Sequence, residues 1–203
     1  KRIIYIFVLV LFTSFTIQSN QYQGIYEYKS DNFHERIELD ENFRFSYDYR
    51  LNSIAYSIKG DYRIKGDSLI LDSNPQRDKV IVKERKKGNE KNVRFCVKDK
   101  FGESFNYTLY AINKDKDTIT LLNQWRKSKL KDEKIESFYI VDSKGLRTPL
   151  YEIKGTRTNY YEVQMEAIRV LDNEIWNITG NSIRPRGMNG EPQSYKLDKV
   201  KKD

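Results

Sequence analysis

Cysteine is nearly missing from this chain: Cys96 is the only one in 203 residues. A lone thiol makes no intramolecular disulfide, so any folded domain here rests on its core alone. Cysteine zinc sites and Cys-x-x-Cys redox chemistry are excluded with it. Histidine is as scarce, with His34 alone. An ordinary zinc centre would therefore be built mostly from carboxylates. A Ser-His-Asp arrangement needs only one His, but no G-x-S-x-G elbow is present to carry it. Glycine (10) and proline (4) are too few for a collagenous or low-complexity chain. Also missing is an apolar run of about 20 residues, the length a membrane-spanning helix needs.

What is present begins at the first residue. Lys1-Arg2 precede an apolar run from Ile3 to Phe12, and Thr13, Ser14, Thr16, Gln18 and Ser19 follow. This is the layout of a secretory signal peptide over residues 1–19, cut after Ser19. The alternative, a retained anchor, is disfavoured by the shortness of the run. Cys96 lies far from that cut, which argues against a lipid anchor on an N-terminal cysteine. The expected location is secreted or periplasmic, with no transmembrane anchor after cleavage.

The formal charge is +8, and Lys1 and Arg2 carry two of these charges. The rest sits in bursts at Lys83 to Lys91, Arg126 to Lys134 and Lys196 to Lys202. Such bursts read as solvated hairpin ends and strand edges, where Lys blocks edge-to-edge pairing. The alternative is a basic face for an anionic partner. Export argues against nucleic acid.

Apolar residues alternate with period two in short runs separated by turn residues, and no amphipathic helix emerges. Tyr22, Gly24, Tyr26 and Tyr28 share one face. Phe43, Phe45, Tyr47 and Tyr49 share another. Further runs are Tyr62-Ile64, Leu69-Leu71, Val80-Val82, Val93-Val97, Tyr107-Ala111, Ile119-Leu121 and Phe138-Ile140. A long run, Tyr160 to Leu171, places Val163, Met165 and Ala167 together, and Asn189-Gly190 marks a type I′ hairpin. Residues 123–136 fit either a loop or a short helix. The turn-rich stretch around Asn89 suggests a boundary between domains at 20–89 and 90–203. The expected class is all-β, an antiparallel sheet or barrel followed by an antiparallel β-sandwich.

Two segments carry resemblances. Gly24-Ile25-Tyr26, Ile37-Glu38-Leu39-Asp40 with Phe43, and Gly60-Asp61-Tyr62 through Gly66-Asp67-Ser68-Leu69-Ile70-Leu71 resemble small bacterial lipocalin-like domains. Tyr26 and Tyr62 stand where those domains carry Trp. The resemblance implies a carrier of a small apolar ligand. Val97 to Gly102, Tyr107 to Asn113 and Asp115 to Leu121 resemble carboxypeptidase-regulatory-like (transthyretin-like) modules, which implies a non-catalytic β-sandwich.

Candidate chemistry is sparse. His34 reads as an exposed loop residue and Cys96 as a small packed side chain. Asn113, Asp115 and Asp117 match the start of a calcium loop, but Thr118 and Gln124 break it, so a hairpin turn is the reading. Glu162 with Glu166, and Glu35 beside Ile37, are the carboxylates a hydrolase would draw on. Trp176 reads as core. The aromatic set Tyr26, Phe45, Tyr47, Tyr49 and Tyr62 is the candidate ligand face, inside a barrel or along a groove. No catalytic residue, metal ligand or cofactor is assigned. The expected role is a non-enzymatic binding or envelope-associated module, its partner an envelope component, a polysaccharide or a small apolar ligand. A carboxylate-dependent hydrolase is the second alternative.

Overall fold

A computed structural model describes residues 21–88, 92–131 and 134–201. The proposed signal peptide and the boundary at Asn89 lie outside them. The chain is all-β, and among the described residues no helix is long and apolar enough to cross a membrane.

The first compact unit comprises, among the described residues, 21–76, 170–187 and 192–201. Its strands are β1 (Gly24–Ser30), β2 (Phe33–Leu39), β3 (Arg44–Leu51), β4 (Ile54–Lys65) and β5 (Ser68–Ser73), then β14 (Glu174–Thr179), β15 (Ser182–Arg184) and β16 (Leu197–Lys199). They close into a barrel in the order β1-β16-β15-β14-β5-β4-β3-β2, every neighbour antiparallel. Alternation drives this closure. Ile37 and Leu39, Phe45 and Tyr47, Leu69 and Leu71, and Trp176 and Ile178 point inward and are buried, while the residues between them (Glu38, Ser46, Ile70 and Asn177) face outward.

The second unit comprises residues 77–169 and 188–191. It holds β6 (Val80–Arg85), β7 (Val93–Asp99), β8 (Asn106–Asn113), β9 (Thr118–Trp125), β10 (Lys127–Leu130), β11 (Ile135–Asp142), β12 (Tyr151–Glu152) and β13 (Tyr160–Met165). They form one sheet in the order β12-β11-β8-β9-β10-β7-β13-β6. The sheet folds its inner face onto itself: Phe95 of β7 meets Phe138 of β11, four places away in the sheet, edge-on at 5.0 Å. Tyr161 stacks on Phe95 at 5.0 Å.

The two compact units are discontinuous in sequence, unlike the expected domains at 20–89 and 90–203. Strands β14 to β16 fall in the C-terminal half of the chain, yet they pair with β5 and β1 and complete the barrel. Bare edges on β1 and β5 are what they satisfy. The second sheet is also not purely antiparallel, because β13 runs parallel to β7.

One turn recurs four times. Asp40, Asp99, Asn113 and Asp142 each accept, through Oδ1, the backbone N–H four residues on, at 2.8 to 2.9 Å. The fourth residue of each turn is left-handed: Phe43 (φ 59°), Gly102 (86°), Lys116 (67°) and Gly145 (86°). Each turn is closed by a side-chain oxygen and a left-handed residue; those at Asp40 and Asn113 join paired strands, β2 with β3 and β8 with β9, whereas β7 and β8 on either side of the Asp99 turn do not pair. Asn113 to Asp117 is thus such a turn. Phe43 belongs to a turn as well, and it is exposed rather than aligned with Phe45 and Tyr47. Asn189 lacks a positive φ while Gly190 has one of 81°, so this pair does not make the expected type I′ turn. Residues 123–136 contain no helix among those described: a left-handed Asn123 lies within β9, and a left-handed Arg126 separates β9 from β10. The long run from Tyr160 stops at Met165, because Glu166 Oε1 accepts the N–H groups of Ala167 and Ile168 and turns the backbone out of the sheet.

Candidate functional site

The five aromatic residues of the candidate face all belong to the barrel, but they do not form one surface. Tyr26, Phe45 and Tyr62 gather toward the end that holds the Asp40 turn. Tyr26 donates to Tyr22 O at 2.9 Å and Tyr62 donates to Asp40 O at 2.8 Å. Burial pushes both phenols up to about 12. Phe45 packs over Gly60, where an added Cβ would meet Phe45 Cε1 at 2.7 Å. These three are buried core. Tyr47 lies deeper, its ring edge-on to Trp176 at 5.3 Å. Trp176 itself is fully buried, as its apolar neighbours lead one to expect.

The opposite end is different. There Tyr49 stacks on Tyr56 at 4.9 Å, and Phe33 meets Tyr49 at 5.3 Å and Tyr195 at 5.4 Å. Tyr28 stacks on Tyr195 at 4.6 Å. All five rings are only partly buried. They surround a carboxylate, Glu35, which is 1 % exposed. Tyr47 donates its hydroxyl to Glu35 Oε1 at 2.6 Å, and Tyr195 donates to Oε2. Burial, then the hydrogen bond and charge of Glu35, push the Tyr195 phenol far above its ordinary range. That phenol stays protonated and remains a donor.

The elements explain the placement. Glu35 shares the inward face of β2 with Ile37 and Leu39, where alternation calls for an apolar residue. Tyr47 comes from β3, next to β2, and Tyr195 from the segment entering β16. Burying a carboxylate is costly unless hydrogen-bonded partners compensate it. Here two phenols supply that compensation, and aromatic rings exclude water around them. The arrangement places a buried carboxyl group beside a cluster of aromatic rings. Chemically it can hold an ammonium group.

The remaining candidates lie elsewhere. His34 is on β2 rather than in a loop; its Nε2 stands 3.4 Å from Glu27 Oε2 on the outer face. Cys96 is on the outer face of β7, only half-buried, not packed inside. Glu162 and Glu166 do not share a face. Glu162 points outward from β13, whereas Glu166 lies beyond the strand and meets Lys100 Nζ at 2.6 Å. Among the described residues no cluster of three or more His, Cys, Asp or Glu is placed to hold a metal ion. Sequence reasoning passed over Phe33, Tyr56 and Tyr195. The one available signal was Glu35, a charge at an inward position of a strand. Comparison with known protein families, curated proteins and solved structures finds no match to this chain.

Proposed function

We propose that this protein is an exported, non-enzymatic binding module whose barrel takes a small organic cation at its aromatic end. The observation that carries the reading is Glu35, a fully buried carboxylate ringed by Tyr28, Phe33, Tyr49, Tyr56 and Tyr195. An ammonium over these rings gains cation–π attraction and the nearby carboxylate charge together, in a site poor in water. The rings supply apolar area for the body of the ligand. The placement of Tyr47 and Tyr49 near this end keeps part of the expected aromatic face in the reading. The apolar carrier implied by the lipocalin-like resemblance is the competing case, since it would need the rings and not the charge.

Isothermal titration with benzyltrimethylammonium and with its neutral isostere neopentylbenzene separates the two. The expected result is saturable binding of the ammonium, at least tenfold stronger than the neutral compound. Glu35→Gln should weaken it at least tenfold while circular dichroism stays unchanged. Equal binding of both compounds would favour the apolar carrier, and ammonium binding unchanged in Glu35→Gln would remove the site.

A further inference from the structure

The basic charge of this protein is segregated. The second unit carries 22 Lys and Arg against 15 Asp and Glu, whereas the first, leaving out Lys1 and Arg2, carries 13 against 14. The excess in the second unit is concentrated on the outer face of four adjacent strands, β10, β7, β13 and β6. Register places Lys129, Arg94, Tyr160 and Arg85 in one row across these strands. The next row is Lys127, Cys96, Glu162 and Lys83. Lys98, beside Gln164 and Ile81, continues the grid. Six cations therefore face one acid, and Glu162 is engaged by Arg85 at 3.2 Å. Strands about 4.8 Å apart, with same-face residues about 6.8 Å apart along each strand, put these charges within mutual repulsion range.

We propose that this face binds an extended anionic polysaccharide. Three features favour such a chain. The surface is a sheet face with a groove of about 650 Å³ that runs past Lys83, Lys98, Arg126, Lys127 and Tyr160. The cations recur at short, regular intervals, which suits repeated carboxylates or sulfates along a polymer. Flat aromatic rings flank the charges: Tyr160 has Lys87 Nζ at 3.5 Å over its ring, and Trp125, paired with Lys127 in the ladder, is 57 % exposed. Such rings offer apolar area of the size of a sugar ring. The reading is independent of the barrel site, because it involves none of its residues.

The test is binding of the full chain to immobilised polygalacturonate, with neutral dextran, a single-stranded oligonucleotide and anionic phosphatidylglycerol vesicles alongside. Wild type should bind polygalacturonate and not dextran, with affinity falling steeply as salt rises. Lys83→Glu with Lys127→Glu should weaken binding at least tenfold. Lys59→Glu with Lys65→Glu, the same charge change on exposed positions of the barrel, should alter it less than twofold. Equal loss in both variants would reduce the effect to net charge and overturn the site. Tighter binding of the oligonucleotide or of the vesicles than of polygalacturonate would overturn the assignment of the partner. Circular dichroism of each variant shows that the sheet is intact, and Lys98→Gln with Lys129→Gln provides a milder pair should the reversals unfold it.

Discussion

The hydroxyl of Tyr151 donates to Glu84 Oε1 at 2.9 Å, joining β12 to β6, the two outermost strands of the eight-stranded sheet. Glu84 also accepts the N–H of Lys154 and of Gly155, at 2.8 Å each, and the hydroxyl of Thr158 at 2.9 Å. One carboxylate thus spans the gap between edges that no ladder closes. It replaces backbone pairing with a side-chain clasp. Glu84→Ala removes the acceptor for four donors and should destabilise the second unit by about 2 kcal/mol or more. Thermal denaturation followed by near-UV circular dichroism measures this.

The same clasp carries a pH dependence. Burial opposes ionisation of Glu84, but the hydrogen bonds from Lys154, Thr158, Gly155 and Tyr151 outweigh it and hold the carboxyl below its ordinary range. A depressed folded value means the ionised form is favoured by folding. Its stabilisation is therefore complete above the ordinary carboxyl range and is lost as pH falls through the lowered folded value. Glu84→Gln should flatten the acid limb of the stability curve relative to wild type. An unchanged limb in urea titrations between pH 3 and pH 6 would contradict this role.

Trp176→Ala should cost about 3–5 kcal/mol, since the indole is fully buried against Tyr47 and leaves a cavity in the barrel. Trp125→Ala should cost under about 0.5 kcal/mol, because that ring stands mostly in solvent. Urea unfolding of the two variants compares the two tryptophans in one protein.

Gly60→Ala should disrupt the barrel. Its Cβ would lie 1.9 Å from Asp72 O, a backbone atom of the neighbouring strand, and 2.7 Å from Phe45. The backbone cannot give way without breaking the β4–β5 ladder. Loss of cooperative thermal unfolding is the expected outcome; a stable Gly60→Ala protein would mean the strands separate there more easily than this packing allows.

Much of the fold was legible because a strand writes itself locally. Period-two alternation in Phe45 and Tyr47, Leu69 and Leu71, or Val93 to Val97 needs no partner to be seen. The Asn113 to Asp117 turn was legible in the same way, since Thr118 and Gln124 break the calcium-loop pattern and leave a hairpin turn. Phe43 misled because its neighbours continue the alternation, while its own left-handed backbone is imposed by Asp40. The partnership of strands was not legible. Nothing local in Glu174 to Thr179 tells that this strand, besides pairing with its sequence neighbour β15, also belongs beside Ser68 to Leu71. The site was hidden for the same reason: Glu35 and Tyr195 are 160 residues apart and meet only once the barrel closes.

That closure has a consequence for synthesis. The chain leaves the barrel after Gln76 and rejoins it at Val170, and the two crossings are tied where Gln76 Nε2 donates to Leu171 O at 2.7 Å. A ribosome delivers β1 to β5 first. Until the last thirty residues appear, those five strands make an open meander with β1 and β5 as two unpaired borders, each a template for a foreign strand. Folding of the intervening unit shortens the slack between Gln76 and Val170, which lowers the entropic cost of closing the barrel. A chain that stops before Glu174 keeps both borders permanently, which makes a nascent or clipped form of this protein far more prone to self-association than its complete form.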